Sequence, residues 1–149
     1  MSAFTISNRL NQPTSSNTVD FVDDDQPSGS STAAIYCTRP ISLENPSTAL
    51  DVRLTQNVRS TSSVRVFFRA TSSEEVRNIE DLGWTAFNSD GSEDTTVTPA
   101  EDAGTFKEYK YSASAIGEFS AFQIKIVMKG TNSAYPPVIK DLRGIALAV

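Results

Sequence analysis

Few side chains in this 149-residue sequence could carry out covalent chemistry, because it contains no histidine and a single cysteine, Cys37. Hydrolytic sites of the serine or cysteine type need a nucleophile, a base and a group that orients the base, and the base is usually histidine. A Ser-His-Asp site is therefore excluded, and one thiol excludes an internal disulfide framework. We interpret Cys37 as a small apolar residue in a strand.

Paired carboxylates can support glycoside hydrolysis, and three adjacent pairs occur, Glu74-Glu75, Glu80-Asp81 and Glu101-Asp102. All three lie among turn-forming residues, where an acid is usually solvated. The glycines are dispersed and form neither a GxGxxG nor a GxxxxGK phosphate-binding arrangement. We therefore predict a protein that is not an enzyme and has no catalytic residues and no cofactor.

Two acidic stretches invite comparison with calcium sites, Asp23 to Asp25 and the NSDGSED run from Asn88 to Asp94. Calcium needs about six to eight converging oxygen ligands, and an EF-hand loop closes with a bidentate glutamate. Adjacent acids in an extended chain point to opposite sides, and the closing glutamate is absent. We predict that neither stretch binds calcium and that the chain has no metal site.

Exposed aromatic rings could bind sugars by stacking, and four residues are candidates for such a glycan contact or for contact with a protein partner. They are Trp84, Tyr109, Tyr111 and Tyr135. Tyr109 and Tyr111 share one face of a predicted strand, so they point together either to the core or to the surface. Core or edge packing is the commoner use of such tyrosines.

The formal net charge of −5 argues against nucleic acid as a partner, because proteins that follow a phosphate backbone mass lysine and arginine on one face. No run approaches the roughly 20 apolar residues of a membrane span. The N-terminus MSAFTISNRL lacks the charged start and apolar centre of a signal peptide. We expect a soluble protein made in a cytoplasm, with neither nucleic acid nor membrane as a partner.

Alternating apolar residues predict the strands that must position any site. From Phe122 to Met128 one face is apolar, whereas Gln123, Lys125 and Lys129 lie mostly on the other, which indicates a half-buried strand. A second extended run begins at Val138 and either pairs with this strand or faces it across the core. Leu50 to Leu54 and Val64 to Ala70 predict a hairpin.

The remaining chain predicts little helix. Ser72 to Leu82 is too short for an independent helix, so we expect a loop with at most one helical turn, and Thr95 to Thr98 a brief strand. Eight or so short strands separated by turns indicate an all-β fold, an antiparallel two-sheet sandwich that is jelly-roll-like.

Residues 1–32 differ in composition from the rest, being rich in Ser, Thr, Asn, Asp and Gln. Their short apolar pieces supply further candidate partner contacts, Phe4, Ile6, Val19 and Phe21. We predict an N-terminal arm over residues 1–32 with short strands, and a β-sandwich domain over residues 33–149.

The segments WTAFNSDGSED, TFKEYKYSAS and EFSAFQIKIVMKGTNSAYPPVIKDLRGIALAV, from Trp84 to Val149, resemble the C-terminal β-sandwich domain of virion structural proteins in tailed bacteriophages. The resemblance is particularly to the large baseplate and tail-fibre-associated proteins of marine T4-like phages, the cyanophages. The matching positions are Phe106, Tyr109, Tyr111, Phe119, Phe122, Gln123, Ile124, Lys125, Ile126, Val127, Thr131, Asn132, Ser133, Pro137, Ile139, Asp141, Leu142, Arg143, Ile145, Ala146 and Leu147. The resemblance assigns architecture to these positions and no enzymatic role.

This resemblance implies a non-enzymatic virion protein of the tail, baseplate, fibre or capsid surface, made in the host bacterial cytoplasm and placed in the virion. Its partners would be other virion proteins and further copies of itself in a symmetric assembly. The alternative is a carbohydrate-binding sandwich that contacts a glycan on the host surface, since one fold serves both purposes.

Overall fold

The computed structural model describes residues 34–132 and 134–148, which form eight β-strands in two sheets whose strand pairs are all antiparallel. The strands are β1 (Ala34–Cys37), β2 (Ile41–Ser47), β3 (Ala49–Asn57), β4 (Ser62–Thr71), β5 (Thr85–Ala86), β6 (Lys107–Ala113), β7 (Phe119–Gly130) and β8 (Val138–Leu147). Helical structure in this part of the chain is limited to two 3₁₀ turns, Ile79–Asp81 and Phe87–Ser89. The predicted all-β, antiparallel two-sheet sandwich is confirmed.

The larger sheet has five strands and is organised around β7, its longest strand. One edge of β7 pairs with β4 along ten residues, from Ser62 opposite Gly130 to Thr71 opposite Ala121. Its other edge pairs first with β1 and then with β2. The short strand β5 pairs with β4 and ends the sheet on that side.

The smaller sheet has three strands in the order β6-β3-β8. Its middle strand β3 lies opposite the larger sheet, so the predicted hairpin of β3 with β4 is wrong. Residues 58–61 carry the chain from one sheet to the other instead of turning it back within one sheet. Both strands have alternating apolar residues, and two strands that face each other across a core show the same pattern as two that pair.

The core lies between the sheets and is built from the inward faces predicted by the alternation. Leu50, Val52 and Leu54 of β3 are fully buried. They belong to the same cluster as the inward residues of β4, β6 and β7, which are Val64, Val66, Phe68, Tyr109, Tyr111, Phe122, Ile124 and Ile126. β8 and β7 therefore face each other and do not pair, which decides between the two arrangements left open by the sequence.

A second layer covers the outer face of the larger sheet, where solvent was expected. Gln123, Lys125 and Lys129 of β7 are buried, so the expectation of a half-buried strand is wrong. Trp84 lies over this face beside Phe67 and Val127. The chain from β4 to β5 folds back onto the sheet, with the single 3₁₀ turn Ile79–Asp81 that the sequence allowed.

One long side of the sandwich is closed by residues 85–100. The Gly91 carbonyl accepts a hydrogen bond from the Val66 amide at 2.9 Å, which fixes this segment to β4. Further along, the Asp94 amide donates to the Lys110 carbonyl of β6 at 2.8 Å. The segment thus crosses from one sheet to the other, and Thr95 to Thr98 cross without forming the strand that was predicted.

Candidate functional site

The side of the sandwich opposite residues 85–100 is open in the described part of the chain, and we call it the open side. It is bounded by β1 and β2 at the edge of the larger sheet and by β8 at the edge of the smaller one. Among the described residues β8 pairs only with β3, so its other edge has no strand beside it. Unpaired edges of this kind accept strands from other chains.

An apolar depression, which we call the open groove, runs along this side between the two edges. It consists of two cavities of about 370 and 250 Å³ that share Leu142. The first is lined by Tyr36, Ile126, Met128, Ile139, Lys140, Asp141 and Leu142. The second is lined by Thr38, Ile41, Leu43, Phe122, Ile124, Leu142, Gly144 and Ala146. Most of these side chains are apolar, so the groove offers a surface that another apolar segment could cover.

The walls of the open groove carry large apolar side chains that stay exposed. Tyr36 of β1 is 51% exposed and Ile41 of β2 is 40% exposed. β8 also exposes Val138, Ile145 and Leu147, which do not line the groove. Apolar exposure is therefore concentrated along the strands that border the open side.

A bulge limits the part of β8 that can pair. Thr55 of β3 lies opposite Asp141, but the next residue, Gln56, lies opposite Ile139, so Lys140 is an extra residue in β8. A bulge and a lysine are devices that protect an edge from unwanted pairing. The regular free edge accordingly runs from Asp141 to Leu147.

Three of the four aromatic candidates are buried. Trp84, Tyr109 and Tyr111 keep at most 5% of their surface exposed. The Tyr111 hydroxyl accepts a hydrogen bond from Gln56 Nε2 at 3.1 Å, and burial raises the pKa of this phenol. Rings without an exposed face cannot stack on a sugar, which leaves Tyr135 alone among the four for a glycan contact at the surface.

Tyr135 lies in the connection between β7 and β8 and is 43% exposed. The Arg59 guanidinium lies 4.3 Å from the centroid of its ring. One face of the ring is thus already covered by a cation. The four arm residues proposed as partner contacts, Phe4, Ile6, Val19 and Phe21, lie outside the described residues, as does Ser133 of the TNS loop.

The layer outside the larger sheet encloses cations against Trp84. The Arg69 guanidinium lies 4.1 Å from the ring centroid of Trp84, and Lys125 Nζ lies 4.9 Å from it. Arg69 also donates from Nε to Gln123 Oε1 at 2.8 Å and from Nη1 to the Leu82 carbonyl at 3.0 Å. This cluster was not predicted from the sequence; a lone tryptophan between two loops was the signal that could have indicated it.

The acidic turn around Asp90-Gly91 uses its carboxylates for internal hydrogen bonds. Asp90 accepts from the Ser92 hydroxyl at 2.5 Å and pairs with Arg65 at 3.3 Å. Asp94 accepts from the Ser112 hydroxyl at 2.6 Å and from Asn88 Nδ2 at 2.8 Å. Burial alone would raise the pKa of Asp94, but the hydrogen bonds from Ser112 and Asn88 bring it below its usual value.

No group of three or more His, Cys, Asp or Glu side chains within residues 34–132 and 134–148 is arranged to hold a metal ion. A search of the same residues finds no helix long and apolar enough to cross a membrane. The stretch from Asp23 to Asp25 lies outside these residues, so the absence of a calcium site stays a prediction.

The outward face of the smaller sheet is polar and held by ion pairs. Glu108 accepts from Arg53 at 3.0 Å and from Arg143 at 3.1 Å, joining all three strands across β3. Arg143 also lies 3.6 Å from Asp141 on the same face of β8. This face is a solvated sheet surface and contrasts with the apolar open groove.

Comparisons with known proteins include a distant structural similarity. No protein-family model matches the chain, and no curated protein matches it. Among solved structures, the infectious bursal disease virus VP2 subviral particle is similar over 74% of this chain and 26% of that chain. The TM-score is 0.40 and the sequence identity is 8%. The aligned region is thus about a quarter of that viral chain.

Proposed function

We propose that this chain is a non-enzymatic structural protein of a bacteriophage virion and acts by protein–protein assembly. The observation that carries the proposal is the open side, where a free strand edge and an apolar groove lie together. A sandwich that worked alone would gain stability by covering such an edge, as residues 85–100 cover the opposite one.

The proposed assembly uses further copies of the chain or other virion proteins as partners. A second strand laid against β8 would satisfy its unpaired backbone groups, and its alternate side chains would fill the groove. Residues 1–32 are the proposed contact arm, and the sandwich is proposed to fold without them. The resemblance of the segments from Trp84 to Val149 to phage baseplate and tail-fibre proteins supports a place in the tail, baseplate or fibre.

Glycan binding at the host surface is the alternative, and the structure leaves it one exposed aromatic among the candidates. Tyr135 is partly covered by Arg59, and the other three candidate rings are buried, so none of them can stack on a sugar beside it. Assembly is therefore the better supported of the two functions.

The test removes the arm from the full chain. Deletion of residues 1–32 is expected to leave the melting transition of the sandwich nearly unchanged and to abolish incorporation into particles. Incorporation is measured by the copy number of the chain in purified virions. Val76→Asp is the control, because Val76 is 95% exposed and does not line the open groove, so this variant should enter particles normally.

Two results would count against assembly. The first is entry of the truncated chain into virions at the normal copy number. The second is strong binding of the intact chain to host polysaccharide together with normal particle formation in its absence. The second result would favour the glycan-binding function.

A further inference from the structure

The open groove has a geometry that specifies its occupant more closely than the assembly proposal does. Tyr36, Ile126, Met128 and Ile139 line one half of it, and this half borders the bulge at Lys140, where the regular free edge of β8 begins with Asp141. An occupant must therefore be an extended segment, with apolar side chains at alternate positions turned into the groove and backbone groups aligned with β8.

The chain itself contains such segments outside the described residues. Residues 1–33 end where β1 begins, and β1 is one wall of the groove. Within them Val19 and Phe21 alternate with Asp20, so an extended Val19–Val22 segment would present Val19 and Phe21 on one face and Asp20 and Val22 on the other.

Charge favours the same segment over the more N-terminal Phe4–Ile6 piece. Asp20 and Asp23 to Asp25 give residues 1–33 four acids against one base, Arg9. Lys140 lies in the groove lining, and Arg39 lies two residues after the end of β1, the strand that forms one wall of the groove. Asp141, the acid of the lining, already lies 3.6 Å from Arg143.

The direction of β1 shows at which end of the sandwich the described chain enters the larger sheet. Ala34 lies opposite Met128, two residues from the end of β7 at Gly130, so β1 begins at that end of the sandwich. A neighbouring copy that packs against this end would lie close to Ala34. The eleven residues 23–33 can span at most about 40 Å when extended, enough to cross to that neighbour.

We infer that the Val19–Val22 segment of one copy lies in the open groove of a neighbouring copy and adds a strand to the free edge of β8. This inference rests on the proposed function and names the donor and the acceptor within it. Val19 and Phe21 would fill the lining around Tyr36 and Met128, and Asp20 would face outward.

Disulfide trapping between two full-length variants tests the inference directly. Both carry Cys37→Ser; one also carries Phe21→Cys and the other Tyr36→Cys. Mixing them and oxidising with a copper–phenanthroline complex is expected to join the two thiols in a covalent dimer, identified by mass spectrometry of the linked peptides. Ile35→Cys replaces Tyr36→Cys in the control, because Ile35 does not line the groove, and this mixture should give little dimer.

Affinity gives a second measurement that needs no cross-link. Tyr36→Asp places a carboxylate among the acids of the incoming segment and should weaken self-association by about tenfold or more, as at an interface hot spot. Ile35→Asp, one residue away, should leave it nearly unchanged. Sedimentation velocity of the full-length chains over a range of concentrations measures both, and circular dichroism checks that each variant is folded.

Four results would overturn the inference. Equal disulfide trapping at positions 35 and 36 would show that the segment does not bind specifically in the groove. A Phe21→Cys/Tyr36→Cys double variant that links only within one chain would place a copy's own segment in its groove. A full chain that stays monomeric at every concentration would show that no neighbouring copy binds in the groove. If particles still form normally with Tyr36→Asp, the inference fails while the assembly function stands.

Discussion

Lys125 shows at the scale of one residue how a cation is kept inside this protein. It has no exposed surface, and its Nζ lies 4.9 Å from the centroid of Trp84 and 5.0 Å from that of Phe67. A desolvated cation facing aromatic rings gains about 2 kcal/mol, which offsets part of the cost of removing it from water. Trp84 therefore has two tasks, since it both covers the sheet and stabilises the charges beneath it.

Replacing Trp84 separates these two tasks. Trp84→Ala should lower the free energy of unfolding by about 3 to 5 kcal/mol, because it opens a cavity over buried cations. Trp84→Phe keeps a ring over Arg69 and should cost clearly less. Urea unfolding followed by circular dichroism measures both, and equal losses would show that the ring does not stabilise the cations.

Asp94 gives a prediction with a defined pH dependence. Its pKa is lowered in the folded chain, so its stabilising effect is complete above the unfolded pKa of about 4 and is lost as the pH falls through the folded value. Asp94→Asn should cost about 1 kcal/mol at pH 7, since the group is partly solvated. The difference from the unchanged chain should shrink toward pH 3 in urea unfolding. A constant difference would mean that its charge is irrelevant.

The alternation of apolar residues was sufficient to predict the inward side chains, but it could not predict what covers the outward ones. Ile124 and Ile126 lie in the core as expected, whereas Gln123 and Lys125 between them are buried too. A lysine in a strand normally indicates solvent, and nothing within β7 says that the chain around Trp84 folds back over it. Burial of the second face depends on contacts distant in sequence.

At the scale of the element, β7 is the strand on which the larger sheet depends, because it pairs on both edges and is covered on both faces. Ile126→Ala should lower the free energy of unfolding by about 2 to 5 kcal/mol. Ile145→Ala in β8 is the control, since Ile145 is 44% exposed, and it should cost much less. Thermal unfolding compares them, and an unchanged melting temperature for Ile126→Ala would place this residue outside the core.

The turn that begins the closed side depends on Gly91. Its φ is +85°, and a Cβ there would lie 3.0 Å from the Cβ of Arg65. Gly91→Ala should therefore cost about 1 to 3 kcal/mol from backbone conformation, and more if β4 must shift. Gly104→Ala is the control, because the nearest atom to its added Cβ would be Asp102 Oδ1 at 3.7 Å. Similar melting temperatures for the two variants would contradict this.

The sequence was sufficient to predict which segments form strands, but not which strands pair with each other. The segments around Val52, Val66 and Ile124 are strands as predicted, yet β3 and β4 lie in different sheets. A short connection permits either a hairpin or a crossing between sheets, and the choice depends on which arrangement buries both apolar faces. For the candidate site, the arm was predicted as a contact segment, whereas the open groove became visible only once both sheet edges were placed.

At the scale of the whole molecule, the outer layer and the sandwich should unfold together. Arg69 belongs to β4 and donates hydrogen bonds from Nη1 to the carbonyl oxygens of Glu80 and Leu82. These bonds connect the covering loop to a central strand. Trp84 is the only tryptophan and reports on that layer by fluorescence, while circular dichroism reports on the sheets. The two transitions should coincide in urea, as for one cooperative unit. An earlier fluorescence transition would make the outer layer a separate unit.

Because only one long side of the sandwich is closed, the geometry of any assembly built from it is restricted. Residues 85–100 occupy one long side and the open groove lies on the other, so by our inference each copy receives one segment in the open groove and gives one segment to a neighbour. Copies that each have one donor segment and one acceptor groove join head to tail, and such an assembly can only close into a ring or continue as a filament. The angle between successive copies decides which, so the tilt of the arm at Ala34 would set the number of copies in a closed ring.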